Sequence, residues 1–200
     1  MSKPGRLIVG ILLAAGAARR FGGNKLLATL DGHESIAERA CRTLRSATDH
    51  VIAVVRPDAE PLAACLAKAG AEVRCHVTAD DGMGASLAFG VGCAPDAKGW
   101  LVALADMPFL APDDVRHVTD ALRAGASIAV PECEGVRGHP VGFSRSFGDT
   151  LRALRGDTGA RDILKAHPHL IVPVLVTDSG SWQDIDTVDD LRRACLAQRR

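Results

Sequence analysis

The chain has 200 residues and a mass of 21.0 kDa, with 24 Lys+Arg against 24 Asp+Glu and an isoelectric point near 7.0. That balance excludes a generally basic nucleic-acid binder and a polybasic membrane-surface protein. At 47% hydrophobic and 24% charged residues, long disordered stretches are excluded as well, and the length suits one domain that buries roughly 70% of its unfolded surface. The longest apolar run, residues 7–18, falls short of the roughly 20 residues a bilayer span needs. Lys3 and Arg6 ahead of that run, and Ala-Ala-Gly-Ala-Ala at its end, imitate a secretory signal. The cysteines argue otherwise. Cys41, Cys65, Cys75, Cys93, Cys133 and Cys195 have the spacing of neither a disulfide framework nor a zinc ribbon. They read as small buried thiols in a reducing compartment, which makes the expected location cytoplasmic.

In chain order, short apolar runs alternate with helical patterns. Residues 7–14 form a continuous apolar run, as expected of a strand covered on both faces. Ser35-Ile36-Ala37-Glu38 has the spacing of a capping box, after which Ile36, Ala40 and Leu44 share one helical face. Residues 51–55 are a second strand, and Pro61 suits the first turn of a helix carrying Leu62, Cys65, Leu66 and Ala69 inward. A strand is expected over 72–77, a helix over 86–93, a buried strand over 100–104 and a helix over 112–124. Asp113 and Asp114 stand near the positive end of that last helix. Beyond the run 127–131 the order loosens, with a short strand at 141–143 and helical patterns near 148–154 and 159–166. A strand over 170–176 and a helix over 188–197 close the chain. The alternation predicts one α/β domain, a mostly parallel sheet with helices on both faces. The irregular part, about 131–160, is the expected place for substrate-binding insertions.

In open α/β sheets ligands bind beyond the carboxyl ends of strands. The first such end reads Leu13-Ala14-Ala15-Gly16-Ala17-Ala18-Arg19-Arg20-Phe21-Gly22-Gly23-Asn24-Lys25. Small residues let backbone N–H groups approach an anion, and Arg20 and Lys25 add cationic donors. It is neither a Walker A loop nor G-x-G-x-x-G, so it reads equally as a turn with solvated basic residues. The second end, Leu104-Ala105-Asp106-Met107-Pro108, delivers a carboxylate from an apolar strand. Asp106 either holds a hard cation or caps the following turn. In Trp182-Gln183-Asp184-Ile185-Asp186-Thr187, Asp184 and Asp186 would point the same way on a strand, and Asp186 or Thr187 could instead cap the last helix. His33, His50, His76, His117, His167 and His169 show no metal-ligand spacing; His167-Pro168-His169 reads as a helix-to-strand turn.

Taken as a set, Leu-Ala-Ala-Gly-x-x-x-Arg-x-Gly-x-x-Lys at 13–25, Gly82-Met83-Gly84-Ala85-Ser86-Leu87, Ala105-Asp106-Met107-Pro108, Arg137-Gly138-His139-Pro140-Val141-Gly142-Phe143, Gly156-Asp157-Thr158-Gly159-Ala160-Arg161 and Asp184-Ile185-Asp186-Thr187 resemble the MobA-like nucleotidyltransferases, in order and over nearly the whole chain. Within that family they are most similar to the molybdenum cofactor cytidylyltransferases, through Ala14-Ala15 where guanylyl relatives usually carry Ala-Gly. Phe21, where Met is commoner, is a departure of one apolar residue for another.

The resemblance implies a Rossmann-like three-layer fold, an NTP substrate, Mg²⁺ and release of pyrophosphate. It implies nucleotide binding by Leu13, Ala14, Ala15, Gly16, Arg20, Lys25, Gly84, Ser86 and Asp106, with Arg20, Lys25 and Asp106 in catalysis. Asp106 and Asp186 would hold Mg²⁺. Arg137, Gly138 and His139, with Asp157 and Arg161 shaping a lid, would take a molybdopterin-type acceptor. Expected partners are therefore CTP (or GTP), that cofactor, and a molybdoenzyme receiving the product; neither nucleic acid nor membrane is expected. The rival readings are a guanylyltransferase or another NTP:small-phosphate transferase, a nicotinamide-dependent oxidoreductase, and a non-catalytic maturation partner. The missing G-x-G-x-x-G, and Val55-Arg56-Pro57-Asp58 where an acidic ribose ligand would stand, count against the oxidoreductase.

Overall fold

The computed structural model describes residues 7–16, 25–30, 34–177 and 182–197. Arg20 lies outside the described residues. The strands are β1 (Ile8–Leu13), β2 (His50–Val55), β3 (Glu72–Cys75), β4 (Gly99–Leu104), β5 (Ile128–Cys133), β6 (Val136–Arg137), β7 (Val141–Ser144) and β8 (Ile171–Leu175). The helices are α1 (Ile36–Ala47), α2 (Glu60–Lys68), α3 (Met83–Gly92), α4 (Pro112–Arg123), α5 (Gly148–Arg152), α6 (Ala160–Ala166) and α7 (Val188–Ala197). The sheet runs β3-β2-β1-β4-β7-β5-β6, with β8 on the free side of β5. Pairings among β1 to β4, and of β5 with β8, are parallel. β7 is antiparallel to both β4 and β5, so the sheet is mixed but mostly parallel.

Alternation along the strands supplies two cores. Ile8 and Leu12 of β1, Val51, Ala53 and Val55 of β2, and Leu101 and Ala103 of β4 face α1, α2 and α4. Val9 and Ile11, Ile52 and Val54, and Trp100 and Val102 face the opposite way, against α3, α5 and α6. Both faces are covered, which is why these strands read as unbroken apolar runs. The run that imitates a secretory signal is β1, paired on both edges at the centre of the sheet. No described helix is long and apolar enough to cross a membrane.

Local signals act where expected. The Ser35 side chain accepts from the Glu38 backbone N–H at 3.2 Å, capping α1, and Pro61 and Pro112 stand in the first turns of α2 and α4. His167 ends α6, and Pro168–Leu170 form a single turn into β8. Four expectations need correction. β3 stops at Cys75, because His76 turns inward to stack on Phe89 at 4.7 Å and leaves Val77 exposed. α3 begins at Met83, three residues before Ser86. Residues 183–186 form no strand. Burial of the thiols holds for Cys41 alone, whose pKa is pushed up to about 11, chiefly by burial; Cys75 is exposed and the other four are half-buried.

The irregular stretch has one feature that positions the site. β6 pairs with β5 at residues 132 and 133, and β7 pairs with it at 128 and 129. Because β8 occupies the other edge of β5 over the same residues, β6 and β7 are one return strand interrupted at Gly138-His139-Pro140. The His139–Pro140 peptide is cis.

Phe143 is fully buried and meets Phe147 at 5.8 Å. Phe143→Ala is expected to cost about 3–5 kcal/mol, against about 1 kcal/mol for Ser35→Ala. Urea denaturation monitored by circular dichroism measures both.

Candidate active site

Three parallel strand ends define the site. β1 stays paired one residue past its last strand residue, with the Ala14 N–H donating to the Val54 carbonyl at 2.9 Å, and the Ala105 N–H donates to the Leu13 carbonyl at 3.1 Å. The chain then leaves the sheet through buried Ala15 and exposed Gly16. Among the described residues, a Cβ on Gly16 would meet nothing within 4 Å, and Gly16 lines a cleft of about 500 Å³.

Lys25 opens a single turn below this loop and is 7% exposed. Its ammonium donates to Asp106 Oδ2 at 2.9 Å and to Asp186 Oδ1 at 3.0 Å. Burial opposes the charged ammonium, but the hydrogen bonds and charges of Asp106 and then Asp186 outweigh it, and the lysine pKa is raised.

The backbone fixes both carboxylates. Asp106 follows β4 by two residues, and its carbonyl accepts from the Ile185 N–H at 3.0 Å. Ile185 is 1% exposed and anchors the segment that carries Asp186. The role of capping α7 falls to neighbouring residues. The Asp190 carboxylate accepts from the N–H groups of Asp186 and Thr187 and from the Thr187 hydroxyl, and the Asp190 N–H donates back to that hydroxyl. The Thr187 hydroxyl foremost, then its N–H, holds the Asp190 pKa at about 2. Asp186 is thus relieved of capping, and its side chain turns to Lys25. It is Asp186, rather than Asp184, that shares Lys25 with Asp106.

On the other side of β1, Arg56 follows the last residue of β2 and reaches Asp80 at 2.8 Å and Asp58 at 3.5 Å. Arg56 and Asp80 both line the cleft. Sequence reasoning missed them, although the strand-end rule that singled out Asp106 applies equally to a charged residue after β2.

The far wall is the start of α3. Gly82 has φ +108°, and the Gly84 N–H donates to the Gly156 carbonyl at 2.8 Å. The Met83 N–H donates to Asp157 Oδ1 at 3.4 Å, so Asp157 faces the helix start; no Asp157–Arg161 ion pair forms among the described residues. A Cβ on Gly84 would lie 2.2 Å from the Thr158 carbonyl oxygen. The motifs at 82–87 and 156–161 are therefore one interlocked unit, which satisfies the free N–H groups of α3 that would otherwise need a cap. Ser86 is 4% exposed and shares a 3.3 Å hydrogen bond with His76 Nδ1.

The remaining expected residues are dispersed. Arg137 is exposed on β6 and reaches Glu132 at 3.4 Å across the β5–β6 pair. Gly138 lies under the Trp182 ring, where a Cβ would come within 2.1 Å. Among the described residues, His139 presents an inaccessible Nδ1 without a partner, as does Trp182 with its Nε1. Burial lowers the His139 pKa, opposed by the Val102 carbonyl and the charges of Asp106 and Asp184, which favours the neutral ring. Arg161 is exposed at the start of α6.

Residues 10–170 match the model of the MobA-like NTP transferase domain. The chain belongs to that family. It is a nucleotidyltransferase of the MobA-like kind, with the mostly parallel α/β architecture expected. It is 36% identical to the purine catabolism protein PucB of Bacillus subtilis, covering 94% of this chain and 97% of PucB. Nicotine blue oxidoreductase of Paenarthrobacter nicotinovorans is 31% identical, covering 93% of this chain and 95% of that protein. Among solved structures, Rv0371c of Mycobacterium tuberculosis superposes with a TM-score of 0.84 at 29% identity, over 97% of this chain and 100% of that one. Rv0371c has also been crystallised in complex with manganese.

The interlock predicts that Gly84→Ala in this MobA-like domain forces residues 156–158 away from α3. The expected outcome is a loss of about 1–3 kcal/mol and faster amide exchange at Gly84 and Ala85, read by hydrogen–deuterium exchange. Unchanged exchange at those two amides would contradict the interlock.

Proposed function

We propose that this MobA-like transferase moves CMP from CTP to the phosphate of a molybdenum–molybdopterin cofactor and releases pyrophosphate. The observation that carries the reading is the pair Asp106 and Asp186, converging on one cation in a cleft bordered by the Ala15 and Gly16 turn. Two carboxylates that close one positive charge at hydrogen-bond distance are a hard-oxygen donor set suited to Mg²⁺ or Mn²⁺. Bound there, the divalent ion would offset the charge on the phosphate oxygens of the transfer.

An acceptor phosphate oxygen forms the new bond to the α-phosphorus, and the bond from that phosphorus to the bridging oxygen breaks. Pyrophosphate leaves with the electron pair. The acceptor is already ionised near neutral pH, so the protein needs no general base, and its work is positioning and charge stabilisation. The N–H groups around Ala15 and Gly16, with Arg20 and Lys25, hold the β- and γ-phosphates. The turn bearing Gly84 and Ser86 supports the base and ribose, and Ala14-Ala15 favours cytosine by family resemblance. Gly138 and His139 belong to the acceptor side, with Arg137 at its margin and Asp157 and Arg161 on the covering loop. With its N–H turned to the Val102 carbonyl, neutral His139 keeps only Nδ1, as an acceptor. The product would pass to a molybdoenzyme in the cytoplasm.

The decisive test incubates the protein with Mg²⁺ and each NTP, with and without molybdopterin cofactor, and identifies products by mass. A CMP adduct is expected. A GMP adduct alone would replace CTP by GTP, and NADH binding without NTP binding would favour the chemistry in the name of the Paenarthrobacter relative. Asp106→Asn is expected to lower kcat by about 10²-fold or more, the scale for losing a group that stabilises developing charge. Full turnover of that variant with Mg²⁺ would refute the assignment of Asp106.

A further inference from the structure

Lys25 is where a divalent ion would have to go. Its Nζ lies within 3.0 Å of one oxygen from each of Asp106 and Asp186, and the residue is 7% exposed. An ammonium this close to both carboxylates leaves no room for a second cation between them, and the two like charges would repel at short range in a partly desolvated site. Lys25 can leave only if another anion receives its charge, because an unpaired buried ammonium is costly. The cleft that opens over Ala15 and Gly16 is where such an anion is expected, and Lys25 lines the same cleft.

We propose that Lys25 is a resident counter-cation of the Asp106–Asp186 pair. It keeps the pair closed to divalent metal until a polyphosphate draws the ammonium away. The metal then enters with the nucleotide, as a metal–triphosphate complex, and the empty protein holds none. Metal and nucleotide binding become positively coupled, and reciprocity requires each to strengthen the other. Lys25 thereby has two successive partners, the carboxylates first and the phosphates second. The inference rests on reading Asp106 and Asp186 as the cation site, but it requires no particular base or acceptor.

Nucleotide-free Mn²⁺ binding, followed by electron paramagnetic resonance of the free ion, tests this directly. The wild type, Lys25→Met, Asp186→Asn and the double variant are titrated with MnCl₂ alone. Lys25→Met is expected to bind one Mn²⁺ at least about tenfold tighter than the wild type, the loss of a like charge at contact distance being a large effect. The double variant should lose that gain. A folded Lys25→Met protein that binds Mn²⁺ no better than the wild type overturns the proposal. Lys25→Gln, a neutral polar replacement, repeats the test if the Met variant fails to fold.

The wild type supplies an independent arm through ¹⁵N-labelled lysine. The Lys25 ammonium signal should stay fixed as Mg²⁺ alone is added, and should move when Mg²⁺ is added with a non-hydrolysable CTP analogue. Stoichiometric uptake of Mn²⁺ or Mg²⁺ by the nucleotide-free wild type also overturns the proposal. Because the Mn²⁺ arm contains no nucleotide, failure of the CTP reading leaves its outcome unaffected. A gain in Lys25→Met that survives in the double variant would overturn Asp186 as the partner in both readings.

Discussion

The site depends on one buried ammonium shared by two carboxylates. Lys25 is 81 residues from Asp106 and 161 from Asp186, so a single Nζ draws together the start, the middle and the end of the chain. Such a cluster is a poor means of gaining stability. Burying the ammonium and part of the carboxylates is costly, and well-packed apolar side chains of the same volume commonly do as well or better. A fold that needed only cohesion at this edge would have continued the apolar packing of Leu12, Leu101 and Ile185. A charged trio at the edge of a cleft instead suits the proposed exchange of partners with a multiply charged ligand.

Everything near the trio serves to hold it without using up its charges. The Ile185 N–H is bound by the Asp106 carbonyl, which leaves the Asp106 carboxylate for Lys25. Capping of α7 is handled by Thr187 and Asp190, so the carboxylate of Asp186 is not needed for it. At the other wall, the free N–H groups of α3 are taken by the Gly156 carbonyl and Asp157. Helix ends are anion sites when their N–H groups are open; here part of that capacity is already committed within the protein. The N–H groups proposed to meet phosphate lie instead at the β1 turn, around Ala15 and Gly16. The same division explains why Gly84 lacks a side chain: it is a packing position under the Thr158 carbonyl.

Much of this was legible in the sequence, for identifiable reasons. Strands buried on both faces announce themselves as apolar runs, and β1, β2 and β4 lie within a residue of where those runs end. Ser35 and Pro61 carry their meaning locally, through hydrogen bonding and fixed φ. Asp106 was legible because an acid at the end of an apolar strand demands a partner. What stayed hidden was non-local. No local pattern reveals that 136–144 is a single return strand broken at Gly138, since β6 has only two residues. The early start of α3 is equally hidden, because the groups that hold Gly82 and Gly84 come from residues 156–158, far along the chain. Arg56 stands where a ribose-binding acid would be sought, and its place after β2 makes it a candidate in its own right.

Bulk neutrality takes on a different meaning once the charges are located. Residues 178–190 contain five aspartates and no base, yet two of those aspartates do unlike work. Asp190 is spent on hydrogen bonds to Thr187, with its pKa held at about 2, while Asp186 answers a charge contributed from the other end of the chain. Composition therefore bears only on the long-range field, in which charges are screened beyond a Debye length of about 8 Å. It says nothing about a cleft in which cation and anions stand within 3.0 Å of one another. At that range the relevant quantity is the arrangement of charges and their freedom to change partners, and a neutral chain can bind a highly charged small molecule without any net charge of its own.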